Sequence, residues 1–246
     1  MISKARIKFI KSLQVKKYRK QEQSFVVEGE KSVLEILKSD YDVTLIVSTP
    51  AFKLTHYRKL NKKIEWLEAS EDELASMGSF KTNQSVLVVS KMKEAHKPEN
   101  ASSWVLVLDD IRDPGNLGTI IRTADWYGIK DIVVSEETAD FYNPKVLHAS
   151  MGSFCRVSYY TTDLPSYLAG VPGKIYGTFL KGVDLHTIKK PIPGHLVIGN
   201  ESEGIHPYLE KHITDKITIP GIGGAESLNA AVATGIVLDN LIRLQK

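Results

Sequence analysis

Three short segments carry residue types that could do chemistry, and each follows an apolar run. The first, IRDPGNLGTIIRTADWYG after WVLVLDD, offers Asn116 and Arg122. The second, NESEGI after HLVIG, offers Glu201 close behind Gly199. The third, GIGGAESLNAAVATGI after KITIP, places three glycines in four positions ahead of Ser227 and Asn229. An arginine fork suits bidentate contact with an anion. Glycines at a strand end let backbone approach a ligand closely. Each residue also has a plainer role: Arg122 could pair with Asp109, Asp110 or Asp113, Glu201 could accept loop N–H groups, and Asn116 and Ser227 could cap helices. The third segment lacks both GxGxxG and the lysine of GxxxxGK[ST], so it supports neither dinucleotide nor nucleoside triphosphate binding.

For these residues to meet, their strands must end on one edge of a sheet. WVLVLDD, DIVVS, KIYGTFL, HLVIGNE and KITIPG alternate with helices predicted to begin near Asn116, Asn143, Leu164, Pro207 and Ser227. Near-continuous apolar strands alternating with helices indicate a mostly parallel sheet covered on both faces, with ligands beyond the carboxyl ends of the strands. In the last helix, Leu228, Val232, Ile236 and Asp239 with Ala231 and Gly235 are expected to form a face that approaches another backbone closely. Upstream, FVVEG, VTLIVST, IEWLEAS and QSVLVVS alternate with helical stretches, one of which opens with the capping-box spacing of Ser70 and Glu73. Between the halves lies KMKEAHKPENAS, polar and proline-bearing. The expected division is a small α/β domain over 1–97, a linker at 98–103 and a larger α/β domain over 104–246.

Charge separates the same two halves. Residues 1–97 carry 19 Lys and Arg against 12 Asp and Glu, while the other 149 carry 13 against 17. The excess peaks in KARIKFIKSLQVKKYRK, with eight cations before the first acid at Glu22. Such a run is either a solvated helix face or a phosphate-contacting arm. No stretch of 18 apolar residues and no secretory pattern is present, so a cytoplasmic protein without a membrane segment is expected. The one cysteine, Cys155, is expected to be buried and apolar, and the seven histidines show no metal-binding spacing.

Taken in order, DPGNLGTIIRTADWYG, LVIGNESEGI and ITIPGIGGAESLNAAVATGIVL resemble the three motifs of the SpoU/TrmH family of RNA ribose 2′-O-methyltransferases, within the SPOUT superfamily. The basic opening followed by FVVEGEKSVLEIL is similar, more loosely, to that family's ribosomal-protein-like substrate-binding domain. The resemblance implies a SPOUT domain with a trefoil knot, S-adenosylmethionine bound at the knot and a homodimer. It implies that Gly199, Ile219 and Leu228 touch the methyl donor, with Thr178 and Leu180 assisting. Arg122 matches the family's catalytic arginine, and Asn116, Glu201, Ser227 and Asn229 match its other polar motif positions. Gly221 and His148 stand where methionine and arginine are common in the family. The implied substrate is structured RNA, ribosomal in preference to transfer RNA. A non-catalytic RNA-binding protein on the same scaffold is the competing reading.

Overall fold

The computed structural model describes residues 2–56, 64–80, 83, 85–98 and 103–243. They form two compact units, 1–94 together with 142–155, and 95–141 together with 156–246. Of the expected linker at 98–103, residues 99–102 lie outside the described residues.

In the first unit, α1 (Lys4–Ser12) and α2 (Lys16–Glu22) precede β1 (Ser24–Glu28). There follow α3 (Glu30–Lys38), β2 (Val43–Ser48), α4 (Pro50–His56), β3 (Glu65–Glu68), α5 (Glu71–Met77) and β4 (Val86–Lys91). The strands pair in the order β1-β4-β2-β3, with β4 antiparallel to both neighbours and β2 parallel to β3. One face buries Val26, Leu45, Val47, Leu87 and Val89 against Ile10, Leu13, Leu74 and Met77. Ile10 and Leu13 stand three apart, which puts both on the inner side of the first helix and leaves its lysines outside. The capping box of α5 forms as expected: Ser70 Oγ accepts from Glu73 N, and Glu73 Oε2 accepts from Ser70 N. Among the cations of the opening run, Lys4, Lys8, Lys11, Lys16, Lys17 and Lys20 are exposed. Arg19 is not: only 2% exposed, it donates through Nη1 to Leu13 O at 3.0 Å and Gln14 O at 2.8 Å, closing the bend between α1 and α2.

The second unit is built on β5 (Val105–Leu108), α6 (Pro114–Trp126) and β6 (Asp131–Val134). The chain then leaves this unit for α7 (Pro144–Ser150) and returns with β7 (Ser158–Thr161). It continues through α8 (Leu164–Ala169), β8 (Ile175–Asp184), β9 (His195–Ile198), a 3₁₀ helix (Pro207–His212), β10 (Asp215–Thr218) and α9 (Ala230–Arg243). The six strands are all parallel, in the order β10-β8-β9-β5-β6-β7. From β5 the chain builds outward through β6 and β7, then crosses to the other side of β5 for the remaining strands. Ligands of such sheets bind beyond the carboxyl ends of the strands, near such a reversal. No helix among the described residues is long and apolar enough to cross a membrane.

The units differ from the expected division: the first ends at 94 instead of 97, the second takes in the expected linker span, and one later segment changes sides. Segment 142–155 falls within the span assigned to the larger domain, yet it belongs to the first unit. The cause is aromatic and apolar burial: Phe25 sits 4.5 Å from the Tyr142 ring and 6.2 Å from that of Phe154, and Val146 and Leu147 are buried. Cys155, expected to be buried, is half-buried at the end of this segment and makes no disulfide among the described residues.

Two helix starts also move. Asp113, not Asn116, caps α6: its Oδ1 accepts from Asn116 N at 2.8 Å, and Pro114 takes the first turn, where its missing N–H costs nothing. The last helix begins at Ala230, so Ser227 lies in the preceding loop and Asn229 is the cap. This start also reassigns the inner face of α9 to Ala230, Ala231, Thr234, Val237, Leu238 and Leu241, leaving Leu228, Val232 and Asp239 exposed. Gly235 does approach a neighbour, with Thr123 of α6 in van der Waals reach of the place a Cβ would take.

Candidate active site

The carboxyl end of β5 is where the site begins. Asp109 and Asp110 follow the last apolar residue of the strand and are both buried. Asp110 turns the chain with a left-handed φ of 59°, a conformation that aspartate tolerates better than most residues. Its carbonyl accepts from Asn200 Nδ2 at 2.9 Å, which ties the loop after β9 to the loop after β5. Within the β9 loop, Asn200 and Gly204 exchange backbone hydrogen bonds of 3.1 and 2.8 Å, and Gly204 has φ +72°. Gly199 lies so close to Gly204 that a Cβ on it would collide with the carbonyl carbon. The glycine requirement at 199 is therefore steric.

This tight loop presents Glu201, which accepts from Asn116 Nδ2 on α6. Asn116 Oδ1 in turn accepts from Asn229 Nδ2 at 2.9 Å. Asn229 Oδ1 accepts from Ala231 N at 3.0 Å and Val232 N at 3.3 Å, capping α9. Each amide orientation follows from the one before it. Backbone N–H groups need an oxygen, so Asn229 turns its NH₂ to Asn116, and Asn116 turns its NH₂ to the carboxylate. Three elements remote in sequence are thereby joined by one polarised chain from a helix N-terminus to a charge.

Beside the chain lies a cleft of about 1130 Å³. Gly199, Glu201, Ile219, Ser227, Leu228, Thr178 and Leu180 all line it, as do the glycine-rich loop residues Gly221 and Gly223. Leu180 on this wall is 80% exposed and Ile222 of the same loop is fully exposed, so apolar surface is open to a ligand here. Lys216 is occupied, paired with Glu210 at 2.6 Å and lying 4.8 Å from the Phe179 ring centre. Glu203, Glu226 and Lys181 supply further charges along the wall.

Arg122, Asn116 and Asn229 do not line the cleft. Arg122 is exposed on α6, and the acids expected to compete for it are otherwise engaged: Asp109 by His206, Asp110 by Arg112 at 2.7 Å, and Asp113 by the helix cap. Among the described residues its guanidinium meets none of these three acids, and it stands six residues beyond Asn116 on α6. The other departure from the expected pattern, His148, is an exposed residue of the first unit whose ring stacks on Phe80 with 4.3 Å between centres. Sequence reasoning named Asp109 only as a possible partner of Arg122 and missed both its pairing and His206, whose only signal was their position just past WVLVL and NESEGI.

Comparison with known proteins places this geometry. Residues 103–239 match the SpoU rRNA Methylase family, and residues 4–88 match the MRM3-like substrate binding domain. The chain is 35% identical to the 23S rRNA (guanosine(2553)-2′-O)-methyltransferase RlmP of Bacillus subtilis, over 96% of this chain and 95% of that one. Among solved structures, an AdoMet-bound rRNA methyltransferase from Sinorhizobium meliloti superposes with a TM-score of 0.87 at 30% identity, covering 99% of this chain and 96% of that one. The SpoU methyltransferase AviRb from Streptomyces viridochromogenes, in complex with AdoMet, also reaches a TM-score of 0.87, at 25% identity and 98% coverage of both chains.

Proposed function

The chain belongs to the SpoU rRNA methylase family, and from that premise we propose that it transfers a methyl group from S-adenosylmethionine to a ribose 2′-hydroxyl of ribosomal RNA. The observation that carries the proposal is the joining of Asn116, Glu201 and Asn229 beside the cleft, because it gathers polar groups from all three motif segments at one strand edge.

The cleft suits the donor chemically. Gly199 and its neighbours offer bare backbone to a polar ligand, Ile219, Leu228 and Leu180 offer apolar surface, and Glu201, Glu203 and Glu226 favour a cationic one. When bound, the donor supplies an electrophilic methylsulfonium, so no metal is needed for activation. What remains for the protein is to place the hydroxyl and manage one proton. Guanidinium stays protonated below about pH 12, so Arg122 serves better to stabilise a developing alkoxide or hold the adjacent phosphate than to act as a base. Glu201 both lines the cleft and ends the amide chain, so it is the carboxylate placed to take that proton, at the oxygen Asn116 leaves free. Ser227, released from capping, is available to orient the ribose.

RNA is gripped in this reading by the exposed lysines of α1 and α2. The homodimer is part of the proposal, supported by exposed Trp126 on α6 and Val232 on α9. The knot is too, supported by the return of α9 onto α6 after β10 has taken the far edge of the sheet. A cytoplasmic location is part of the same proposal.

Mass-spectrometric mapping of 2′-O-methyl nucleotides in RNA from cells with and without the protein tests the proposal. Guanosine 2553 of 23S rRNA, the position named for the Bacillus subtilis relative, is the first to inspect. One ribosomal 2′-O-methyl group should vanish without the protein, and an unchanged map would overturn the assignment. Calorimetry with the donor separates this from the non-catalytic reading, which requires no binding.

A further inference from the structure

The loop between β9 and the 3₁₀ helix, residues 199–206, is pinned to the end of β5 at its two ends. Near its start Asn200 holds the Asp110 carbonyl, and at its end His206 N donates to Asp109 Oδ2 at 2.8 Å. The His206 ring adds a second hold on the same carboxylate, with Nδ1 3.0 Å from each Asp109 oxygen. Asp109 is fully buried, so protein groups must answer its charge. A carboxylate only accepts, so Nδ1 carries a proton in both states of the ring. The proton that comes and goes sits on Nε2. That atom faces Glu203 Oε2 at 3.6 Å, and Glu203 is part of the cleft wall.

We infer that His206 is a positioning residue for the donor site: its imidazolium ties Glu203, on the cleft wall, to Asp109, at the buried strand end, and so fixes the loop that presents Gly199 and Glu201. The inference rests on the methyl-transfer reading of the cleft. When Nε2 loses its proton, a lone pair faces the Glu203 carboxylate and the outer half of the tie becomes repulsive. The inner half, through Nδ1, persists. His206 therefore changes the hold on the cleft wall without releasing the loop altogether.

The surroundings favour the charged ring. Burial works against its second proton, but the hydrogen bond and charge of Asp109, with Asp110 and Glu203 behind it, outweigh burial and raise the pKa above the ordinary histidine value. Arg112 answers Asp110 through a 2.7 Å contact and also feels Glu203 and Glu137. Tyr208 stacks on the ring at 5.1 Å and is itself surrounded by Asp109, Glu137, Asp110 and Asp163. Acids thus outnumber Arg112 around His206, which suits a cationic tie and disfavours a phosphate site here.

Two measurements on the full chain test this: NMR titration of the His206 ring, and calorimetric affinity for S-adenosylmethionine across the same pH range. Donor affinity should weaken about two- to fivefold as His206 deprotonates, the range of an exposed ion pair. His206→Asn, whose amide can still donate to Asp109, should abolish that dependence. Glu203→Gln, at an exposed side chain, should lower the His206 pKa and flatten the affinity profile. A wild-type affinity independent of pH, a His206→Asn profile like the wild type, or a His206 pKa unmoved by Glu203→Gln would each overturn the inference. Absence of donor binding at every pH would instead overturn the methyl-transfer reading, since the His206 titration still reports its coupling to Glu203.

Discussion

Asn229 Nδ2 lies 2.9 Å from Asn116 Oδ1, joining the first turns of α9 and α6 across 113 positions of sequence. The same Asn229 caps its own helix through the other atom of its amide. One side chain therefore does two separable jobs, and substitution can take them apart.

Asn229→Asp keeps an oxygen for the N–H groups of Ala231 and Val232 but has no hydrogen to give Asn116. It should retain stability within about 1 kcal/mol, the scale of a helix cap, while turnover falls roughly 10- to 100-fold from misplacement of the polar chain. Asn229→Ala loses both functions. Denaturant unfolding alongside turnover decides the matter, and a fully active Asn229→Asp would remove the chain from the mechanism.

Arg122 stands off the cleft wall, so its loss should leave donor affinity unchanged. Turnover of Arg122→Ala should fall by about 10²- to 10³-fold, as for other groups that stabilise developing negative charge. Arg122→Lys should recover only part, because an ammonium keeps the charge without the fork. Near-full turnover of Arg122→Ala with normal RNA and donor binding would exclude the arginine from catalysis.

The opening cations divide into two kinds. Replacing exposed Lys16, Lys17 and Lys20 by Gln should weaken RNA binding and reduce the dependence of log K on log salt by about 0.7–0.9 for each phosphate no longer neutralised. Arg19→Ala should leave that slope alone and lower stability by roughly 1–3 kcal/mol, since it strips two backbone carbonyls of a charged donor. Filter binding at several salt concentrations, with unfolding curves for each variant, distinguishes the two.

His195 opens β9 with Nε2 2.8 Å from Tyr167 Oη, and burial pushes its pKa down to about 4. The unfolded chain takes up that proton near pH 6.5, so between these values the unfolded state binds more protons than the folded one. Stability present in full above pH 6.5 should fall by about 1–2 kcal/mol on reaching pH 5, and His195→Gln should flatten that part of the profile. His206, raised by its acids, acts with the opposite sign, and its contribution is lost as pH rises. Urea unfolding at several pH values measures both.

The strands of the second unit are legible because burial on both faces makes β5, β6 and β9 near-continuous apolar runs. The end of β9 points to Gly199 and Glu201, while Ile219 and Leu228, after β10, are named by the family resemblance; all four line one cleft. Helix starts are less legible, since DPGN and ESLN each offer more than one capping side chain and only three-dimensional partners choose between them. Asp113 wins over Asn116 because Pro114 fits the first helical turn. Asn229 wins over Ser227 because its amide also reaches Asn116. Neither Asp109 nor His206 carries a local pattern, and their pairing spans 97 positions. The placement of 142–155 is hidden for the same reason: neither its aromatic residues nor its apolar spacing names Phe25 as the partner.

That segment bears on how relatives of this chain can be recombined. Part of the aromatic cluster around Phe25 is encoded between β6 and β7, far downstream of the strand that carries Phe25. A hybrid that joins residues 1–94 of one homologue to the remainder of another would mismatch Phe25 with a foreign Tyr142 and Phe154. Exchange of the first unit between homologues is therefore a two-segment graft, with 142–155 travelling alongside 1–94.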